Sequence, residues 1–174
     1  MKKIILRYGL ISGVIAAALM LFTALFVGND PGNFDGAEYI GYAGIILSMV
    51  LVFLGVRAYR DQVGEGRLTF GQGFQVGILI TLISCACYVI AWEIVYYTMM
   101  PDFMDRFMEH ALAKMQQAGA SAEEIAAKTA EMEQYKVMYQ NPLVNIAMTF
   151  LEPFPIGLAV TLISAGVLRK HGGA

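Results

Sequence analysis

Glu152 stands in the run Phe150-Leu151-Glu152-Pro153-Phe154-Pro155, inside the last long apolar stretch of the chain, where a carboxylate and two prolines interrupt the composition of a membrane-spanning helix. Hydrocarbon penalises an ionisable group unless a partner or a cavity receives it, which makes such a residue a candidate site. Pro153 and Pro155 carry no backbone N–H, so a helix running through them kinks and leaves the carbonyls of Thr149 and Leu151 without their usual donors. Glu93, beside Trp92, Tyr96 and Tyr97, sits near the end of another apolar stretch, at a depth similar to that of Glu152. Glu152 and Glu93 together form a candidate proton or cation site. The alternative for each is an interfacial side chain that reaches the water boundary or bonds a neighbouring hydroxyl. A protonated Glu152 donating to a freed carbonyl would act as a latch on the kink.

Other donor sets are weaker. Met99, Met100, Met104, Met108, Met115, Met132 and Met138 crowd one region, and Met100, Met104 and Met108 with His110 would suit Cu(I). Methionine as the flexible filler of an amphipathic face explains all of them, and that reading is adopted. Cys85 and Cys87 lie roughly 200° apart around a helix, a poor metal pair and poor spacing for a disulfide. No metal site and no cofactor is expected. A phosphate-binding glycine loop, H-E-x-x-H and C-x-x-C are all absent, and the histidines are His110 and His171 alone. The chain is expected not to be an enzyme.

The elements that position these groups follow from composition. Hydrophobic residues make up 57% and charged residues 15% of the 174, and the mean hydropathy is +0.59, values that belong to the membrane class. Four stretches meet the length test of about 20 residues: roughly 8–27, 39–56, 74–98 and 142–168. The first is read as a retained span, because its uncharged run from Tyr8 to Gly28 exceeds a signal core and ends without a small-x-small cleavage site. Lys2, Lys3, Arg7, Arg57, Arg60, Arg67, Arg169 and Lys170 fall on one side, which the positive-inside rule makes the cytoplasm. Both termini are therefore expected in the cytoplasm. The charge segregation supports no nucleic-acid surface.

Between the spans, Gly28 to Glu38 reads as a short acidic connector rich in turn formers, and Gly71-Gln72-Gly73 as a plain helix start rather than a re-entrant bend. The region of about 101–140 is an amphipathic helical hairpin. Its first helix carries a stripe of Met100, Met104, Phe107, Met108, Ala111, Leu112 and Met115, and Gly119 ends it. Ser121 to Glu124 is a capping box opening the second helix, whose stripe is Ile125, Met132, Tyr135 and Met138 or Tyr139. Glu124 and Lys128 form an i,i+4 pair, and Asn141-Pro142 restarts the chain as N-cap and first helical residue.

An internal similarity links two spans. Phe74, Gly77, Thr81, Leu82, Ile83 and Ser84 recur as Phe154, Gly157, Thr161, Leu162, Ile163 and Ser164, at a constant offset of 80. Gly77, Thr81 and Ser84, like Gly157, Thr161 and Ser164, form a small, weakly polar stripe suited to close helix packing. A remnant inverted repeat, as in transporters, is the sharper reading of the same residues.

Thr69-Phe70-Gly71-Gln72-Gly73-Phe74, Ser121-Ala122-Glu123-Glu124-Ile125, and Asn141-Pro142-Leu143 through Phe150-Leu151-Glu152-Pro153-Phe154-Pro155-Ile156-Gly157 together resemble a family of small bacterial membrane proteins, domain of unknown function 4199. The resemblance implies a four-span inner-membrane protein with a charged helical insertion before the last span, and brings no activity, cofactor or site residue. The expected fold is all-α: a four-helix membrane bundle with an extracytoplasmic amphipathic hairpin between the third and fourth spans. The expected function is a non-enzymatic interaction or structural protein whose hairpin meets a partner or the lipid surface. The alternative is a small transporter or cation-binding protein using Glu152 and Glu93. Membrane lipids, a second copy or another membrane protein are the expected partners, and nucleic acid is not.

Overall fold

Each apolar stretch is helical in the computed structural model, which describes residues 1–29 and 34–170. Helix α1 spans Lys2–Asn29, α2 Phe34–Gln62 and α3 Phe70–Thr98; α4 (Phe103–Gln117) and α5 (Ala122–Tyr139) form the hairpin; α6 (Pro142–Leu151) and α7 (Phe154–Leu168) share the last stretch. Taking α6 and α7 as one, four helices are long and apolar enough to cross a membrane. Among the described residues there is no strand. One isolated antiparallel bridge, Leu68 with Lys170, ties the loop before α3 to the chain after α7.

The helix ends follow local chemistry. Thr69 Oγ1 accepts from the Gln72 amide at 3.2 Å and Gln72 Oε1 from the Thr69 amide at 3.1 Å, a capping box that makes α3 start plainly despite its glycines. Ser121 and Glu124 cap α5 in the same way. Asn141 Oδ1 accepts from the Leu143 amide at 3.0 Å, with Pro142 at the first position of α6. Gly119, at φ +80°, reverses the chain between the hairpin helices.

Three local expectations give way. The first connector is shorter: α1 continues to Asn29, and Phe34 to Glu38 form the first turns of α2, because Phe34 and Ala37 find burial there. Asp30, Pro31, Gly32 and Asn33 of that connector lie outside the described residues. Lys128 pairs with Glu131 at 3.0 Å, not with Glu124, whose carboxylate is taken by the amide and hydroxyl of Ser121. The expected stripe of α4 is half-buried at Met104, Met108, Ala111, Leu112 and Met115 and is widened by Phe103 and His110, which with Phe107 meet Phe34 at ring-centroid distances of 6.2, 5.3 and 6.4 Å. In α5, Met132 is buried and Tyr139 turns inward, while Tyr135 and Met138 stay exposed.

The long helices alternate in direction. Gly9 lies against Ile83 and Gly13 against Cys87, so α1 and α3 run parallel; Gly44 lies against Leu19 and Gly55 against Tyr8, so α2 opposes α1; Gly73 lies against Ala165 and Gly157 against Thr81, so α7 opposes α3. Helix α3 is central, packing on α1, α2, α6 and α7. Polarity is arranged as lipid requires: Ser12, Ser48, Thr81, Ser84, Thr161 and Ser164 are wholly buried, whereas Val14, Ile90 and Val167 are 63%, 61% and 70% exposed. Ser12 donates to the Ser48 carbonyl at 2.8 Å and meets the Ser84 hydroxyl at 2.9 Å, which locks α1, α2 and α3 together.

The repeated stripes meet each other. Thr81 and Thr161 are 3.1 Å apart through their hydroxyls, and Thr81 Oγ1 also donates to the Gly157 carbonyl at 3.3 Å. A Cβ on Gly77 would sit 2.8 Å from Thr161 Cγ2, and one on Gly157 would sit 2.4 Å from Thr81 Cγ2. Each glycine thus receives the opposite threonine, in a local twofold arrangement that only hydrogen at Cα permits. Ser84 turns to α1 instead, and Ser164 bonds the Val160 carbonyl of its own helix at 2.6 Å.

Candidate binding cavity

The last long helix breaks at Glu152. The backbone stays near-helical through Glu152 (φ −69°, ψ −58°) and Pro153 (φ −81°, ψ −23°), but the hydrogen-bond ladder lapses because neither Pro153 nor Pro155 can donate. It resumes where the Gly157 amide donates to the Pro153 carbonyl at 3.0 Å. Beyond the break α7 packs on α2 and α3; before it, α6 packs on α3 and α5. The divergence opens a cavity of about 560 Å³ between α1, α2, α3 and α6, roofed by the hairpin.

Its walls combine apolar surface with a few converging polar groups. Ala16, Met20 and Thr23 come from α1, Glu38, Gly41 and Tyr42 from α2, Tyr88 and Trp92 from α3, and Phe103, Phe107 and His110 from α4. Tyr139, Met148, Thr149 and Glu152 complete it. Below Ile45 the interior is solid: Met49, Val52, Val56 and Ile80 are at most 1% exposed.

Glu152 remains open to the cavity, and its Oε2 accepts from the Tyr88 hydroxyl at 3.0 Å. At about 1.5 Å per residue, its place ten residues after Pro142 puts it roughly 15 Å along the last stretch. The hydrogen bond comes from α3, so Glu152 is an acceptor for a neighbouring helix and not a latch on its own carbonyls. Trp92 Nε1 donates to Asn145 Oδ1 at 3.1 Å, and Thr149 donates to the same oxygen at 3.2 Å, which fixes the ring that forms one wall. Burial holds the Tyr139 phenol above its ordinary pKa, so it stays neutral at the roof.

Glu93 is not among the residues that line this cavity. Tyr88 and Trp92 face it, and the position after Trp92 is turned about 100° away; Glu93 Oε1 is buried without a hydrogen-bond partner among the described residues. The second carboxylate among the residues that line the cavity is Glu38. Glu38 belongs to the stretch expected to be a connector and lies in α2. The spacing of Phe34, Ala37 and Gly41 around it is the helical signal that marks it as part of α2. Tyr88, four residues before Trp92, carries the same kind of signal.

Among the described residues no three His, Cys, Asp or Glu side chains gather closely enough to hold a metal ion. Cys85 is buried within the core and Cys87 lies against Gly13, both as free thiols. A sequence profile described as Protein of unknown function (DUF4199) matches residues 7–170, nearly the whole chain. No curated protein and no solved structure matches it.

Proposed function

The chain belongs to the DUF4199 family, whose description assigns no activity, and we propose that it is a membrane-embedded binding protein that receives a small amphiphilic molecule in the cavity beneath its hairpin. In this reading the four spans form a bundle in the bacterial inner membrane, both termini are cytoplasmic, and the hairpin and cavity face outward. The carrying observation is the cavity itself: about 560 Å³, within the ~300–1,000 Å³ of small-molecule sites, and mostly apolar with a few polar groups converging at Glu152. The solid half beneath Ile45 favours binding over conduction in this conformation. No turnover is assigned.

Gly41 offers the test. It lines the cavity, and a Cβ there meets nothing within 4 Å, so a side chain at this position starts into open space and Gly41→Leu is placed to occupy the cavity. Native mass spectrometry of protein released from its own membranes should show a retained small molecule on the parent and none on Gly41→Leu, at equal thermal stability. Identical spectra for the two would overturn the reading. Orientation is checked separately in a Cys85→Ala, Cys87→Ser background: Ala120→Cys should react with an impermeant maleimide in intact cells and Gly66→Cys should not.

A second reading, a hairpin that docks a partner, draws on Tyr135, Val137 and Met138, which α5 leaves 45%, 66% and 52% exposed. Crosslinking from Val137 to another membrane protein, undiminished in Gly41→Leu, would favour it.

A further inference from the structure

We propose that the molecule held in this cavity is an amphipathic organic cation, with its ammonium or guanidinium head between Glu38 and Glu152 and its apolar body along the methionine and aromatic walls. The inference rests on the binding reading above and adds the charge and class of the ligand.

The charge of the lining is one-sided. Glu38 and Glu152 come from different helices into one space, and none of the described residues that line it is Lys or Arg. His110 is the one histidine of the lining, and its ring lies tilted against that of Phe34 at the roof, with centroids 5.3 Å apart. A single neutral hydroxyl, that of Tyr88, is hydrogen-bonded to Glu152, and Glu38 holds no hydrogen bond among the described residues. Glu38 and Glu152 are the two carboxylates that line this space, so a cationic group entering it would be attracted to both.

A bare metal ion is a poor fit. Calcium and magnesium want six or more oxygen ligands at short, regular distances, and these walls are mainly carbon. Aromatic faces serve an organic cation instead: Tyr42, Tyr88, Trp92 and Tyr139 line the same space, and such rings attract ammonium and guanidinium groups through their negative faces. The volume leaves room for an apolar body as well as a head.

Trp92, the only tryptophan of the chain, is a built-in reporter. Protein in lipid nanodiscs is titrated with hexyltrimethylammonium, hexyl glucoside and hexyl sulfate, and Trp92 emission is followed. The expected result is at least tenfold tighter binding of the cation than of the other two, lost when Glu38→Gln and Glu152→Gln are combined. Equal binding of the three probes, or tighter binding of the neutral or anionic one, would overturn the cation assignment and leave the cavity reading standing. A cation preference that survives both substitutions would overturn the role given to the carboxylates. If none of the three perturbs Trp92, the cavity reading falls with it. Should the double variant fail to fold, Glu38→Gln alone serves, with an expected drop in cation affinity of threefold or more; an unchanged affinity would count against the proposal.

Discussion

Thr81 of α3 and Thr161 of α7 meet hydroxyl to hydroxyl at 3.1 Å, each packed into the glycine that stands four residues from its counterpart. Interhelical hydrogen bonds in membranes contribute only about 0.6 kcal/mol on average, so close backbone approach is the larger part of this contact. Gly157→Ala places a methyl 2.4 Å from Thr81 Cγ2 and should destabilise the protein by about 1–3 kcal/mol. Adding Thr81→Ser removes that methyl group and should restore part of the loss. Reversible unfolding in mixed micelles measures both, and a Gly157→Ala protein as stable as the parent would show that the crossing tolerates expansion.

Tyr88 and Glu152 form a single unit across α3 and the α6–α7 break. Tyr88→Phe leaves the carboxylate without its donor and should cost about 1–3 kcal/mol, as should Glu152→Leu, which strands the hydroxyl. The double variant should be no less stable than Glu152→Leu alone, since the pair is lost once. Fully additive losses would show that the two side chains do not act together.

The capping box of α5 sets a pH dependence outside the spans. The amide and then the hydroxyl of Ser121 hold the Glu124 carboxyl below its ordinary value of 4.5. A lowered folded-state pKa means that the charged form favours the helix, so this contribution is present above 4.5 and fades as pH falls through the lower folded value. Residue-resolved shifts should report fraying of the first turn of α5 on acidification, and Glu124→Gln should remove the pH dependence. Fraying that is unchanged in Glu124→Gln would point to another group.

The hairpin should open more readily than the long helices. No residue of α4 is buried and Met132 is the one buried residue of α5; Lys136 and Asp105 pair between the two helices, and that hydrogen bond holds the Lys136 ammonium above its ordinary pKa. Amide exchange from Asp102 to Tyr139 should be faster than in α1, α2, α3 and α7. Equal protection throughout would make the hairpin an integral wall of the cavity.

Glu152, Pro153 and Pro155 were legible as an interruption because hydrocarbon leaves few reasons for an acid and two prolines in one turn. The partners of Glu152 were not. Tyr88 and Glu38 stand 64 and 114 residues from Glu152 along the chain, and no local pattern relates them to it. What the sequence discloses of Glu93 is its place along the span. Its azimuth relative to the cavity depends on how α3 is rotated, and the packing of that helix on α1 and α7 decides the rotation.

The sequence by itself determined the four long helices, the hairpin, the caps at Ser121 and Asn141 as sites of helix entry, and the small faces of α3 and α7, because each rests on residues within a few turns of one another. Tertiary structure alone decided that those two faces meet, that α6 leaves α2 where α7 holds it, and that the space between them takes two carboxylates and a ring of aromatic side chains. Those outcomes depend on which helix faces pair, and pairing is settled by close contact between residues far apart in the chain, where a single Cβ at Gly77 or Gly157 would be enough to forbid it.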